Sequence, residues 1–294
     1  MPDTTLPDIT SFTSARDMRA DVFAARGDDQ RTAVLVAHGG GWRVGGPEHM
    51  HPRCAALAEH GFTVIAIEYR LLGEAPWPAP LDDVRAAVRW ARAHAGELGI
   101  EPDRIALQGH SAGAHLSLLT AYTPDPDAGA DDPGIAAVVA FYPPVGFFAG
   151  TAPEPDPETG RPPRAPRRDD GRAPAWMLLA GSDDEDQARA ISPIDQITPA
   201  SPPTMIVQGA DDPMVAMSSS IAFHQALFDA GVPADLHVLH GVGHEFDNAP
   251  TMTATVADDV SRFLRRTVSQ AAATAEEVDR FSMARRMRAA SASD

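Results

Sequence analysis

The feature that most limits what this chain can fold into is a series of short apolar runs that do not alternate with polar residues. They occupy 32–37, 62–67, 104–108, 135–141, 204–208 and 235–239. A strand with apolar side chains at successive positions is buried on both faces. Between the runs lie stretches of helical spacing, at 53–60, 81–98, 114–119, 218–230 and 252–267. In the second of these Val84, Ala87, Val88 and Ala91 share one face, and Gly61, Gly99 and Gly231 stand where three of the helices should stop. Strands alternating with helices specify an α/β protein, a mostly parallel central sheet with helices on both faces. Residues 18–24 alternate loosely and are expected as a first edge strand, and the rest of 1–18 carries little pattern.

Two glycine motifs fall at the ends of these runs. Gly109-His110-Ser111-Ala112-Gly113 joins the third run to a helical stretch, the strand–turn–helix setting of a G-x-S-x-G nucleophile elbow. His38-Gly39-Gly40-Gly41-Trp42 follows the first run, where glycines let main-chain N–H groups turn toward a ligand and stabilise an oxyanion. Ligands of parallel sheets sit at the carboxyl ends of strands, and both motifs lie there. A serine nucleophile needs a histidine base, and the base needs a carboxylate to hold its tautomer. The loop after the fifth run offers Asp211 and Asp212; the loop after the sixth offers His240 and His244. His237, His240 and His244 have a metal-like spacing, but strand positions three apart face opposite sides. His49 and His51 form a closer local pair. No metal or cofactor is expected.

The chain of 294 residues is 44% hydrophobic, enough for a large packed core. All 24 basic residues are arginine, which excludes Schiff-base and P-loop lysine chemistry. A formal charge of −17 argues against nucleic-acid backbones and anionic membranes as partners. Cys54 is the single cysteine, so no intrachain disulfide can form. No signal-peptide pattern and no membrane-length apolar run is visible, and a soluble cytoplasmic protein is the expectation.

The domain is expected to cover 1–270. Residues 145–187 break its rhythm: they are Pro-rich, carry five arginines from Arg161 to Arg172, and contain an apolar patch at 176–179. They read as a cap-like insertion over the active-site end, with arginines that either attract an acidic substrate or form a solvated loop. Residues 271–294 read as a tail or frayed helix, and Val278, Phe281 and Met287 offer apolar positions for docking on the body or on a second copy in a homodimer.

Taken together, His38 to Trp42, Glu68-Tyr69-Arg70-Leu71, Pro78-Ala79-Pro80-Leu81-Asp82-Asp83, Gly109 to Gly113, Gly209 with Asp212, and Gly243-His244 resemble the α/β-hydrolases of the HGGG esterase/lipase group, which includes the hormone-sensitive-lipase-like carboxylesterases. The resemblance implies an α/β-hydrolase fold, with Ser111 as nucleophile, His244 as general base and Asp212 as its acid partner. It implies an oxyanion hole of the N–H groups of Gly40, Gly41 and Ala112. Trp42 and His110 are candidate substrate contacts, each with packing as its competing role. Glu68 and Gln208 stand where the family usually has Asp and His, and neither departure touches an implied catalytic group. The implied activity is hydrolysis of a small-molecule carboxylic ester, of small acyl groups, through an acyl-enzyme. A kynurenine-formamidase-type amidase on the same triad is the runner-up, and a non-catalytic small-molecule binding protein on a hydrolase scaffold is a more remote reading.

Overall fold

In the computed structural model, which describes residues 9–13, 17–147, 179 and 184–282, the apolar runs become neighbouring strands of one sheet. The strands are β1 (Ile9–Thr13), β2 (Asp17–Phe23), β3 (Ala33–Ala37), β4 (Thr63–Ile67), β5 (Ile105–His110), β6 (Ala137–Phe141), β7 (Thr204–Gly209) and β8 (Ala234–Leu239). Their order is β1-β2-β4-β3-β5-β6-β7-β8. The pairs β1–β2 and β2–β4 are antiparallel and every later pair is parallel.

The helices are α1 (His51–Ala58), α2 (Ala79–Ala93), α3 (Ala95–Leu98), α4 (Ala112–Tyr122), α5 (Glu185–Ala190), α6 (Met217–Asp229), α7 (Pro250–Leu264) and α8 (Ala271–Phe281). Successive residues of a strand serve opposite layers. Leu35 and Ile65 pack with Val84 of α2 and Leu116 of α4 on one face. Val34 and Val64 pack with Leu57 of α1 and Val260 of α7 on the other. Both faces are therefore covered, which is why these strands read as unbroken apolar runs. Among the described residues no helix is long and apolar enough to cross a membrane.

Three boundaries differ from the sequence reading. The strand expected at the edge is β2, and β1 lies outside it, paired from Ile9 opposite Asp21 to Thr13 opposite Asp17. The helix expected over 81–98 breaks at His94, where φ −103° and ψ 19° leave the helical region, and Gly99 closes α3 at φ 69°. The expected tail begins as the helix α8, on which the Val278 and Phe281 side chains are largely exposed. Met287 lies outside the described residues, as does most of the expected cap at 145–187 with its arginines. Leu179 from that segment is buried in the cluster that holds Trp42 and Leu116.

The order β4-β3-β5-β6 places a reversal of winding between β3 and β5. A crevice opens at the carboxyl ends of such a pair, and the two glycine motifs follow these two strands.

Candidate active site

The turn from β5 into α4 is made by a single residue. Ser111 has φ 52° and ψ −114°, a region costly for a residue with a Cβ. Its N–H is tied to the carbonyl of Phe141 at 3.0 Å, and its carbonyl accepts the N–H of His115 at 3.1 Å. The flanking glycines are required by close approach. A Cβ on Gly113 would lie 2.2 Å from the carbonyl oxygen of Ala37, and one on Gly109 would lie 2.3 Å from that of Gly113. The helix thus starts against the strand ends and lifts the half-buried serine above the sheet.

His244, in the loop after β8, places Nε2 3.1 Å from Ser111 Oγ and Nδ1 2.7 Å from Asp212 Oδ2. The Asp212 side chain is fully buried, and that of His244 is 8% exposed. Asp212 Oδ1 accepts the backbone N–H groups of Met214 and Val215 at 2.8 and 2.9 Å. Its Oδ2 also accepts Gln208 Nε2 at 3.1 Å, while Gln208 Oε1 takes the Ser220 hydroxyl at 2.8 Å. A carboxylate with this many donors is held immobile. It can fix the imidazole with Nδ1 protonated and Nε2 free to accept the serine proton.

The loop after β3 approaches the same point. Gly40 and Gly41 take φ 116° and 59°, and a Cβ on Gly40 would lie 1.9 Å from the carbonyl oxygen of Val44. Gly40, Gly41 and Ala112 keep their N–H groups out of the backbone hydrogen-bond pattern of the described residues. Ala112 opens α4, where first-turn N–H groups have no intrahelical acceptor. The loop is braced from below: the Tyr69 hydroxyl donates to the His38 carbonyl at 2.8 Å, and Leu72 N–H to the Trp42 carbonyl at 2.8 Å. Arg70 in turn grips Asp83 through its backbone N–H, Nε and Nη2 at 2.8–2.9 Å. Burial lowers the His38 pKa to about 4, so its ring is a neutral plate stacked 4.2 Å from Tyr69.

The BD-FAE family model matches residues 20–227, more than half of the chain. The chain belongs to the BD-FAE family. Among curated relatives of this BD-FAE protein, Esterase LipQ of Mycobacterium tuberculosis is 33% identical over 80% of this chain and 55% of its own length. The chain spans about half the length of the curated relatives it matches. A propionate-bound thermophilic esterase of Thermogutta terrifontis has a TM-score of 0.68 at 26% identity, covering 88% of this chain and 94% of that one. The same esterase phosphonylated by sarin also gives 0.68, at 25% identity over 88% and 96%. The fold is that of the α/β-hydrolases, as the motifs implied. The family match ends before His244, whose place beside Ser111 rests on the 3.1 Å contact between them.

Two residues of the BD-FAE chain that were candidate substrate contacts, with packing as the competing role, are buried. His110 is 2% exposed; being the last residue of a strand covered on both faces, it turns inward, stacks 4.4 Å from Phe141 and meets Tyr142 and Asp247. Trp42 is 3% exposed and packs edge-on to His115, 5.1 Å between centroids, so it supports the glycine loop from beneath. The histidines outside the triad go elsewhere. His240 is exposed, His237 lies 3.7 Å from Asp259, and His51 bonds Asp21 at 2.7 Å. Asp211 is exposed while Asp212 faces the base. Among the described residues no group of three His, Cys, Asp or Glu side chains could hold a metal. Gln208 and Ser220 were not singled out as parts of the site; Gln208 stood out in the sequence only as a departure from the family motif and as a polar residue inside a buried strand.

Proposed function

We propose that this protein hydrolyses carboxylic esters of small acyl groups through an acyl-serine intermediate. One observation carries the reading: Ser111 Oγ lies 3.1 Å from an imidazole whose other nitrogen is 2.7 Å from a buried carboxylate. Ser111 Oγ attacks the ester carbonyl carbon as its proton passes to His244 Nε2. The resulting oxyanion is held by the N–H groups of Gly40, Gly41 and Ala112, each worth on the order of 10²–10³ in rate. Collapse expels the alcohol, which takes the proton from His244. Water, deprotonated by the same imidazole, then attacks the acyl-serine and releases the acid. The esterase names of the relatives and the propionate-bound neighbour support the ester and the short acyl group. The buried single cysteine and the charge of −17 support a cytoplasmic setting without nucleic acid as partner.

The test is to treat the protein with a fluorophosphonate, digest it and map the adduct, beside turnover of p-nitrophenyl acetate and butyrate. The adduct is expected on Ser111, and Ser111→Ala should lose about 10⁶ in kcat. Labelling at another residue, or faster cleavage of N-formylkynurenine than of either ester, overturns the proposal.

A further inference from the structure

Behind the triad lies a second buried carboxylate for which the ester mechanism has no use. Asp247 is three residues after His244, and its side chain is fully buried. Its Oδ1 accepts the Tyr142 hydroxyl at 2.8 Å; its Oδ2 accepts Arg53 Nε and lies 3.1 Å from His110 Nδ1. Four segments meet on this one group. Arg53 comes from α1, the helix after the glycine loop, His110 from the residue before the nucleophile, Tyr142 from the end of β6, and Asp247 from the loop of the base. Arg53 also donates to Asn248 Oδ1 at 2.7 Å. Burial alone would raise the Asp247 pKa, but the donors and the guanidinium around it outweigh that and push it well down, while burial lowers the pKa of His110.

An ion pair removed this completely from water is an expensive way to fill space, since apolar residues of the same volume commonly stabilise as well. What the charges do that apolar residues cannot is fix a direction. Tyr142 sits at φ 39°, a conformation costly outside glycine. Its ring lies 4.4 Å from the imidazole of His244 at a tilt of 53°. The hydroxyl bond to Asp247 holds the ring in that place. The contact also favours the imidazolium that forms during reaction, because a cation is attracted to an aromatic face.

We propose that Asp247, anchored by Arg53 and acting through Tyr142, is a positioning residue that keeps His244 Nε2 aimed at Ser111. This rests on the reading of Ser111 and His244 as nucleophile and base. Tyr142→Phe keeps the ring and removes only the hydroxyl; Asp247→Asn keeps the shape and removes the charge. Both variants are measured for kcat and KM on p-nitrophenyl butyrate and for melting temperature. The far-downfield proton NMR signal of the His244 Nδ1–H bonded to Asp212 is recorded for each, assigned by its disappearance in His244→Gln. Tyr142→Phe is expected to fold with a melting temperature lowered by the loss of one donor to a buried carboxylate, and to lose about tenfold in kcat, the scale for removing an outer partner of an oriented histidine. KM should be unchanged and the downfield signal exchange-broadened. Asp247→Asn is expected to lose more. A folded Tyr142→Phe with parental kcat and an unaltered signal overturns the proposal, and that variant decides the matter if Asp247→Asn does not fold. A parent protein without esterase activity would defeat the ester reading, leaving the signal to decide the positioning.

Discussion

The sharpest consequence of the geometry concerns the change of one atom in Asp212. Asp212→Asn conserves shape, so the side chain stays where Oδ1 now accepts the N–H groups of Met214 and Val215. Those two fixed donors demand an oxygen there. The new amide nitrogen must therefore take the Oδ2 position, 2.7 Å from His244 Nδ1 and 3.1 Å from Gln208 Nε2. Its hydrogens then face two donors. Gln208 can rotate, but His244 relieves the conflict only by moving its proton from Nδ1 to Nε2. The imidazole then donates to Ser111 Oγ and can no longer accept its proton. Fixing the wrong tautomer in a serine hydrolase costs about 10⁴ in kcat, or about 5.5 kcal/mol of barrier at 1.36 kcal/mol per decade. Ground-state contacts with the ester are untouched, so KM should hold. The neighbouring Asp211→Asn alters an exposed side chain and should stay within about twofold, as surface substitutions do. Initial rates with p-nitrophenyl butyrate at neutral pH compare the two. Asp212→Asn retaining a tenth or more of parental kcat, or Asp211→Asn losing more than it does, would refute the argument.

Three further outcomes follow from contacts around the site. Gly113→Ala puts a Cβ 2.2 Å from the Ala37 carbonyl oxygen and 2.5 Å from that of His38; it should lose about 3 kcal/mol of stability as overpacking does, and a parental melting temperature would contradict the close approach. Tyr69→Phe strips the hydroxyl from the His38 carbonyl, which should cost about 1–3 kcal/mol and lower kcat more than it alters KM; unchanged stability and kcat would show that the brace is dispensable. Burial lowers the pKa of both His38 and His115 to about 4, so between pH 6.5 and 4 the unfolded chain binds more protons than the folded one and stability falls as pH falls, by on the order of 3 kcal/mol for each ring once the pH is below 4. Thermal unfolding from pH 7.5 to 5 should show this decline with a shallower slope in His115→Gln, and a parental slope in that variant would contradict it.

How far the sequence anticipates this arrangement depends on the range of the physics involved. Ser111, Asp212 and His244 were legible because each follows an apolar run, and a parallel sheet sends every such residue to the same edge. The two glycine loops were legible for the same reason. The contacts explain the other matching segments as well: Tyr69 holds the glycine loop, and Asp83 holds Arg70. Glu68, the departure before Tyr69, takes the N–H of Arg19 at 2.9 Å and so serves the junction with β2. The strand β1 was missed because an edge strand needs only one neighbour, and 9–13 carries no continuous apolar run. For His110 substrate contact and packing stayed open, because motif position says which residue follows a strand, not which way the residue before it turns.

The polar cluster behind the triad lay beyond such reasoning. Arg53 and Asp247 are 194 residues apart and Tyr142 and Asp247 are 105 apart, and no periodicity links residues across those distances. Local pattern reports which face of an element is apolar; it says nothing about a charge that is buried because its partner arrives from elsewhere. The one trace is Arg53 itself, which shares the inward side of α1 with Cys54 and Leu57. A charged residue among inward-facing apolar positions has to be matched by a distant opposite charge, because an unpaired buried charge is too costly to keep. In this fold the match comes from the loop that carries His244, which is why the same pair that closes the core also reaches its imidazole through Tyr142.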